Sequence, residues 1–211
     1  MKNILIVVDM QNDFLYGNFS NKNAQKIAKP IFQEIIANTV PYDTIIFTKD
    51  THEKEEFFTI NEKGGFEGRW FASHCINPAS RDIVYPLNEV CSISNSIIQV
   101  VSKNVFDGSQ RIMDILNEIF PTEEEGYHFY ICGVCTDICV LATAIGLTKE
   151  KLAKRITVLT DLCAGTSPKA HKTAVAALQS FQIETTTIKQ IKKYKKNYEK
   201  YHSKENKNDR I

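Results

Sequence analysis

The sequence predicts an α/β protein with a doubly wound, mainly parallel six-stranded sheet and helices on both faces. Three observations carry that expectation. Short β-rich runs alternate with helical patterns along the chain, the order that builds parallel sheets. Several runs are apolar at every position rather than at alternate ones, as strands covered on both faces must be. The chain has 211 residues, 43% hydrophobic and 24% charged, enough for one domain with a sizeable core.

The elements follow in order. The first strand is expected over 4–8 (ILIVV), then a helical pattern over 23–38. A second strand over 44–48 (TIIFT) leads into a stretch with little periodicity, about 50–89, too long for an ordinary connection. That stretch reads as a functional loop with small elements of its own. A third strand over 97–101 precedes a helix over 110–120, and a fourth over 128–132 precedes a helix over 137–147. A fifth strand over 156–159 precedes a helix starting at Pro168, with Ser167 as its N-cap. A sixth strand over 183–188 closes the domain, which is assigned to residues 1–188.

Charge separates the rest. From Lys189 onward there are nine basic and three acidic residues, against 17 and 22 before it. Residues 189–211 read as a basic C-terminal helix and a frayed tail. Ile191, Tyr194, Tyr198 and Tyr201 recur at helical spacing, a face expected to dock on the body while lysines point to water. The mildly acidic body suggests no nucleic-acid surface. No apolar run reaches the length of a membrane span. The N-terminal apolar core is short and is broken at Asp9 with no cleavage site, so a cytoplasmic location is expected.

Parallel α/β sheets bind ligands outside the carboxyl ends of their strands. At those ends the sequence places Asp9, then Asp50 and His52, then Lys103. Cys135, Thr136, Asp137 and Cys139 follow the fourth strand and Asp161 the fifth. An Asp after one strand is usually a turn residue. A carboxylate, an ammonium, a thiol and a metal ligand converging on one edge point to a catalytic cleft.

The segment ICGVCTDICV admits three readings. Metal or iron–sulfur ligation lacks a second cysteine cluster to complete a four-sulfur site. A CxxC redox pair before a helix leaves Asp9 and Lys103 idle. A single nucleophile, Cys139 in the first turn of a helix, gains from the helix dipole and from free N–H groups able to hold an oxyanion. A base is then required, and no histidine sits at a neighbouring strand end. Asp9 would serve, with Lys103 balancing its charge. Cys91, Cys132 and Cys163 read as buried small hydrophobes.

Together, IVVDMQNDF, the Lys of VSKNVFDG and GVCTDICV resemble the three signatures of the isochorismatase-like cysteine hydrolases. The resemblance covers about 4–188. It implies that fold and a catalytic triad of Asp9, Lys103 and Cys139. It also implies a cis peptide between Val134 and Cys135, with the backbone N–H groups of Cys135 and Cys139 as the oxyanion hole. Family members that cleave a vinyl ether lack the cysteine, so its presence points to C–N hydrolysis.

The second-strand loop narrows the resemblance. FTKDTH and the later RWFASHC are similar to nicotinamidases, which hold one metal ion through an Asp-x-His and a later His. These map to Asp50, His52 and His74. A carboxylate and two imidazoles suit zinc first, with iron and manganese as alternatives. Many nicotinamidases have a fourth ligand between the histidines; Glu62 and then Glu56 are the candidates here. Phe14 and Trp70 resemble the aromatic residues that sandwich a pyridine ring. The implied substrate is nicotinamide, with a homo-oligomer as a candidate assembly. The alternatives are a metal-free amidase or carbamoyl hydrolase of the same superfamily, and a non-catalytic binding protein on this fold.

Overall fold

The computed structural model describes residues 1–53 and 73–208, with side chains as far as Tyr198. Six strands form one sheet: β1 (Lys2–Val8), β2 (Thr44–Asp50), β3 (Ile97–Lys103), β4 (Tyr127–Val134), β5 (Ala153–Ala164) and β6 (Glu184–Thr186). Their order is β3-β2-β1-β4-β5-β6, and every neighbouring pair is parallel. The chain winds outward to β3, returns to the centre and winds outward again to β6. The order therefore reverses between β1 and β4, where doubly wound sheets bind their ligands.

The register sets the strand ends level. Val8 lies opposite Gly133, and Asp50 lies opposite Lys103. Asp9, Asp50, Lys103 and the segment after Val134 thus leave the sheet at one edge. Gly133 has φ +112°, and a Cβ there would stand 2.2 Å from the Val8 carbonyl oxygen. Only glycine lets β4 approach β1 this closely. All of Ile4, Leu5, Ile6, Val7 and Val8 are buried, as a central strand covered on both faces requires.

The helices are α1 (Asn12–Leu15), α2 (Lys22–Ala37), α3 (Pro78–Arg81), α4 (Ser109–Ile119), α5 (Leu141–Leu147), α6 (Pro168–Ser180) and α7 (Ile188–Asn208). A 3-10 turn (Leu87–Ser92) and a π-helical turn (Thr136–Val140) complete the described elements. Helix α2 is capped by Asn21, whose side chain accepts from the N–H groups of Asn23 and Ala24. It buries Ala24, Ile27, Ala28, Ile31 and Ile35 at helical spacing. That face offsets Pro30, which costs a helix interior ~3 kcal/mol. Ser167 caps α6 by accepting from Ala170 N, with Pro168 in its first turn. Helices α2 and α7 pack against β5, and α4, α5 and α6 form a contiguous second layer.

Some expectations are corrected here. Strand β5 continues to Ala164, so Asp161 lies within it rather than at its end. Its carboxylate accepts from the N–H of Ile188 and caps α7, away from the cleft. Strand β6 is only three residues, and Ile188 already belongs to α7. Cys91 is exposed, unlike Cys132 and Cys163. Helix α7 docks through Ile188 and Ile191, through Lys192 facing Glu34, and through Lys195 on the Thr39 carbonyl. Tyr194 does not share that face and is 71% exposed. Glu56, Glu62 and Trp70 fall outside the described residues. Among those described, no helix is long and apolar enough to cross a membrane.

Candidate active site

Asp9 leaves β1 in the left-handed region at φ +48°, a conformation that turns its carboxylate into the sheet edge and that L-residues rarely adopt. The Thr48 hydroxyl donates to Asp9 Oδ1 at 2.6 Å and accepts from Asp9 N at 3.1 Å. Lys103 Nζ stands 2.7 Å from Asp9 Oδ2, 3.6 Å from Asp50 Oδ1 and 3.7 Å from Cys139 Sγ. Asp9 is wholly buried and Lys103 is 4% exposed, so this is an ion pair inside the protein. The structure brings Asp9, Lys103 and Cys139 together from β1, β3 and the turn after β4.

Cys139 is the fourth residue of the π-helical turn, not part of a regular α-helical first turn. The peptide Val134–Cys135 is cis. The Cys135 carbonyl accepts from Ile138 N at 3.0 Å and Val140 N at 3.1 Å, closing the turn on itself. A single π turn inside a helix is a frequent companion of function.

The electrostatics follow from burial. Burial pushes the Cys139 thiol well above its ordinary range, and the Lys103 ammonium only partly opposes this. Cys139 therefore rests as a protonated thiol. Burial also raises the Asp9 carboxyl, against the pull of Lys103. A carboxylate made more basic in this way accepts a proton more readily. Burial alone would lower Lys103, but Asp9, Cys139 and Asp50 around it raise it well above its usual value.

A second group adjoins the first. His52 Nε2 lies 3.2 Å from both Asp50 oxygens and hydrogen-bonds to Oδ2, to which His74 Nε2 also hydrogen-bonds at 3.0 Å. The three ligand atoms lie within 4.8 Å of one another, and all three residues are buried. Asp50 Oδ1 has no hydrogen-bond partner among the described residues. Burial would raise the Asp50 carboxyl, but His52, His74 and Lys103 hold it well below the carboxylate range. Ligands about 2.1 Å from an ion stand roughly 3 to 3.5 Å apart, a range that holds both His–Asp50 distances and suits a first-row divalent ion.

Residues not foreseen hold this group. Gln11 accepts from Asp50 N at 2.7 Å and donates to Asp50 O at 2.8 Å, gripping the backbone of that residue at both ends. Asp13 accepts from Cys75 N at 2.6 Å, and Arg81 donates to the carbonyls of Cys75 and His52. Such outer contacts fix ligand orientation. Their spacing in sequence, up to 70 residues for Gln11 and Arg81, left no local signal.

A cleft of about 530 Å³ opens over both groups. Cys139, Asp50 and His74 reach it from below. Phe14, Phe19, Phe106, Val134 and Ile138 give it apolar walls, and Asn18, Asn21 and Lys22 sit in its lining. The ring centroids of Phe14 and Phe19 lie 5.6 and 4.9 Å from that of His74. Of the expected aromatic pair, Phe14 lines this space. Phe19 and Phe106 were not singled out by the sequence.

The Isochorismatase domain family matches residues 3–190. The chain belongs to this family. Among relatives, the isochorismatase-family chain is 24% identical to a nicotinamidase of Schizosaccharomyces pombe, over 88% of its own length and 93% of the relative's. It is 26% identical to a nicotinamidase/pyrazinamidase of Mycobacterium tuberculosis, over 87% and 96%. Its fold matches a pyrazinamidase of Pyrococcus horikoshii solved in complex with zinc, with a TM-score of 0.68 at 24% identity, covering 89% of this chain and 99% of that one.

Proposed function

We propose that this isochorismatase-family protein is an amide hydrolase that converts nicotinamide to nicotinate and ammonia through a thioester on Cys139. One observation carries the reading. A buried thiol contacts a buried Asp–Lys pair at the floor of an apolar cleft that also contains Asp50 and His74.

The thiol proton passes from Cys139 Sγ to Asp9 as sulfur bonds to the amide carbon. The N–H groups of Cys135 and Cys139 receive the oxygen that takes up negative charge. Protonated Asp9 then gives its proton to the leaving nitrogen, the C–N bond breaks and ammonia departs. Water attacks the thioester with Asp9 again as base, and the proton returns to sulfur. Lys103 keeps Asp9 ionised before attack and offsets charge on the thiolate as it forms.

Phe14 packs against the substrate ring, a part assigned also to Trp70. Asp50, His52 and His74 would hold one divalent ion, with zinc the first choice. Such an ion would supply an anchor for the ring nitrogen, a positioning contribution rather than activation of the amide. The relatives named above support this substrate class. The test is ammonia release from nicotinamide with and without chelator, alongside metal analysis. Release that depends on a bound ion supports the reading. Release untouched by chelator would favour a metal-free amidase, and no release would sink the substrate assignment.

A further inference from the structure

The turn that carries Cys139 is short, five residues with no side-chain cap of its own. Besides β4 before it and α5 after it, α6 holds its orientation. The Thr136 hydroxyl, on the first residue of the turn, meets His171 Nδ1 at 2.8 Å. Thr136 is wholly buried, so its hydroxyl depends on that partner. Asp137 accepts from Thr166 N at 2.8 Å and from Thr166 Oγ1 at 2.6 Å, a second tie to the start of α6. Gly165 sits where the segments meet; a Cβ there would lie 2.7 Å from His171 N and 2.8 Å from Asp137 Oδ1. No side chain can intervene between turn and helix.

We propose that His171 is a positioning residue: through Thr136 it holds the turn so that Cys139 Sγ and the amides of Cys135 and Cys139 face one reacting carbon. The inference rests on Cys139 being the nucleophile. Thr136 and Cys139 are three residues apart on one turn, so a tilt at Thr136 displaces sulfur and amides together. Oxyanion donors must lie within a few tenths of an ångström of their place to act. His171 itself is held by α6, where its N–H donates to Ser167 O at 2.9 Å. Burial lowers its pKa against the opposing charge of Asp137, so the ring is neutral near pH 7. A neutral ring and a hydroxyl can pair in either tautomer, and an Asn side chain offers the same choice of donor or acceptor.

The experiment compares His171→Ala, His171→Asn, Thr136→Val and the Thr136→Val/His171→Ala double variant. Steady-state ammonia release from nicotinamide, iodoacetamide alkylation of Cys139 and the thermal midpoint are measured for each. His171→Ala should lower kcat about 10- to 100-fold, as misplacement near the reacting atoms does, with KM within about threefold. His171→Asn should recover most of the loss, which a role in packing alone would not explain. Thr136→Val should match His171→Ala, and the double variant should lose no more than either.

Full kcat in both single variants, additive losses in the double, or an Asn variant as slow as Ala would each overturn the inference. If His171→Ala does not fold, Thr136→Val and His171→Asn decide by the same criteria. Alkylation reads the placement of Cys139 without an amide substrate, so a wrong substrate assignment is told apart from a wrong role for His171. A Cys139→Ala enzyme with normal turnover would remove the nucleophile reading, and this inference with it.

Discussion

Two polar clusters are embedded in the same sheet and are built on opposite terms. At the outer half, His128 Nε2 meets Thr157 Oγ1 at 2.8 Å, Thr157 donates to Glu184 at 3.0 Å, and Arg155 grips both oxygens of that carboxylate. Donors and acceptors there find each other, and the charged end reaches water. At the cleft, Asp9, Lys103, Cys139 and Asp50 are crowded together and buried, and Asp50 Oδ1 is left without a hydrogen bond. A buried, incompletely paired charge cluster costs stability. The outer cluster tolerates polarity in a core; the cleft cluster keeps a carboxylate, an ammonium and a thiol out of water.

Variants can break or sharpen this contrast. The largest effect is expected at Cys139→Ala, which should abolish turnover while the thermal midpoint is kept or rises. Cys135→Ala should retain substantial activity, because that residue contributes its amide. Ammonia release and a melting curve for both proteins check this. Asp9→Asn should follow, with kcat/KM lower by ~10²–10⁴, the usual worth of general acid–base help. As the proposed base, Asp9 must be ionised to act, and burial raises its pKa. The acid limb of kcat/KM should therefore fall above the ordinary carboxylate value near ~4. An acid limb at or below that value would argue against Asp9 as the base.

A smaller effect is expected at His52→Ala and His74→Ala. Each should lower bound metal measured on the purified protein and raise KM about 10- to 100-fold, with kcat less affected. Unchanged metal content in the double variant would move the ion elsewhere. The smallest effect on rate, none, is expected at the outer cluster. Burial pushes the His128 pKa from 6.5 down to about 4, so the folded protein keeps this ring neutral. The unfolded chain takes up a proton between those values. Stability supplied by the neutral ring is thus complete above pH ~6.5 and lost as the pH falls toward 4. His128→Gln should flatten denaturant midpoints across that range and leave kcat untouched. The half-exposed Arg155–Glu184 pair should be worth only ~0–1 kcal/mol.

The same contrast explains what the sequence disclosed. Ile4 to Val8, Thr44 to Thr48 and the apolar core of β4 announce themselves because a central parallel strand must be apolar on both faces. Once the strands are placed, topology alone carries Asp9, Asp50, Lys103 and Cys139 to one edge. Thr48, Gln11 and His171 were invisible because each acts across the fold, on partners 35 or more residues away. Asp161 was misread because the end of β5 is set by pairing with β4 as far as Ala164, beyond its own apolar run. The Tyr194 face failed for a related reason: Ile188 and Ile191 make the apolar contacts of α7 with the core, and the helical pattern continues past the surface they cover.

Gly133 gives the arrangement a further property. Because β4 presses on Val8 at a point with no room for a Cβ, the spacing of the strands that lead to Asp9 and to the Cys139 turn is set by main chain. Residues on either side can drift among Ile, Val and Leu, and the core will absorb the exchange. Position 133 has no such neighbours in sequence space. A single methyl there would act as a wedge between the two strands that lead to Asp9 and to the Cys139 turn. An evolving lineage could therefore reshape the walls of the cleft, and with them the range of amides admitted, long before it could alter the spacing of the strands beneath Asp9 and Cys139.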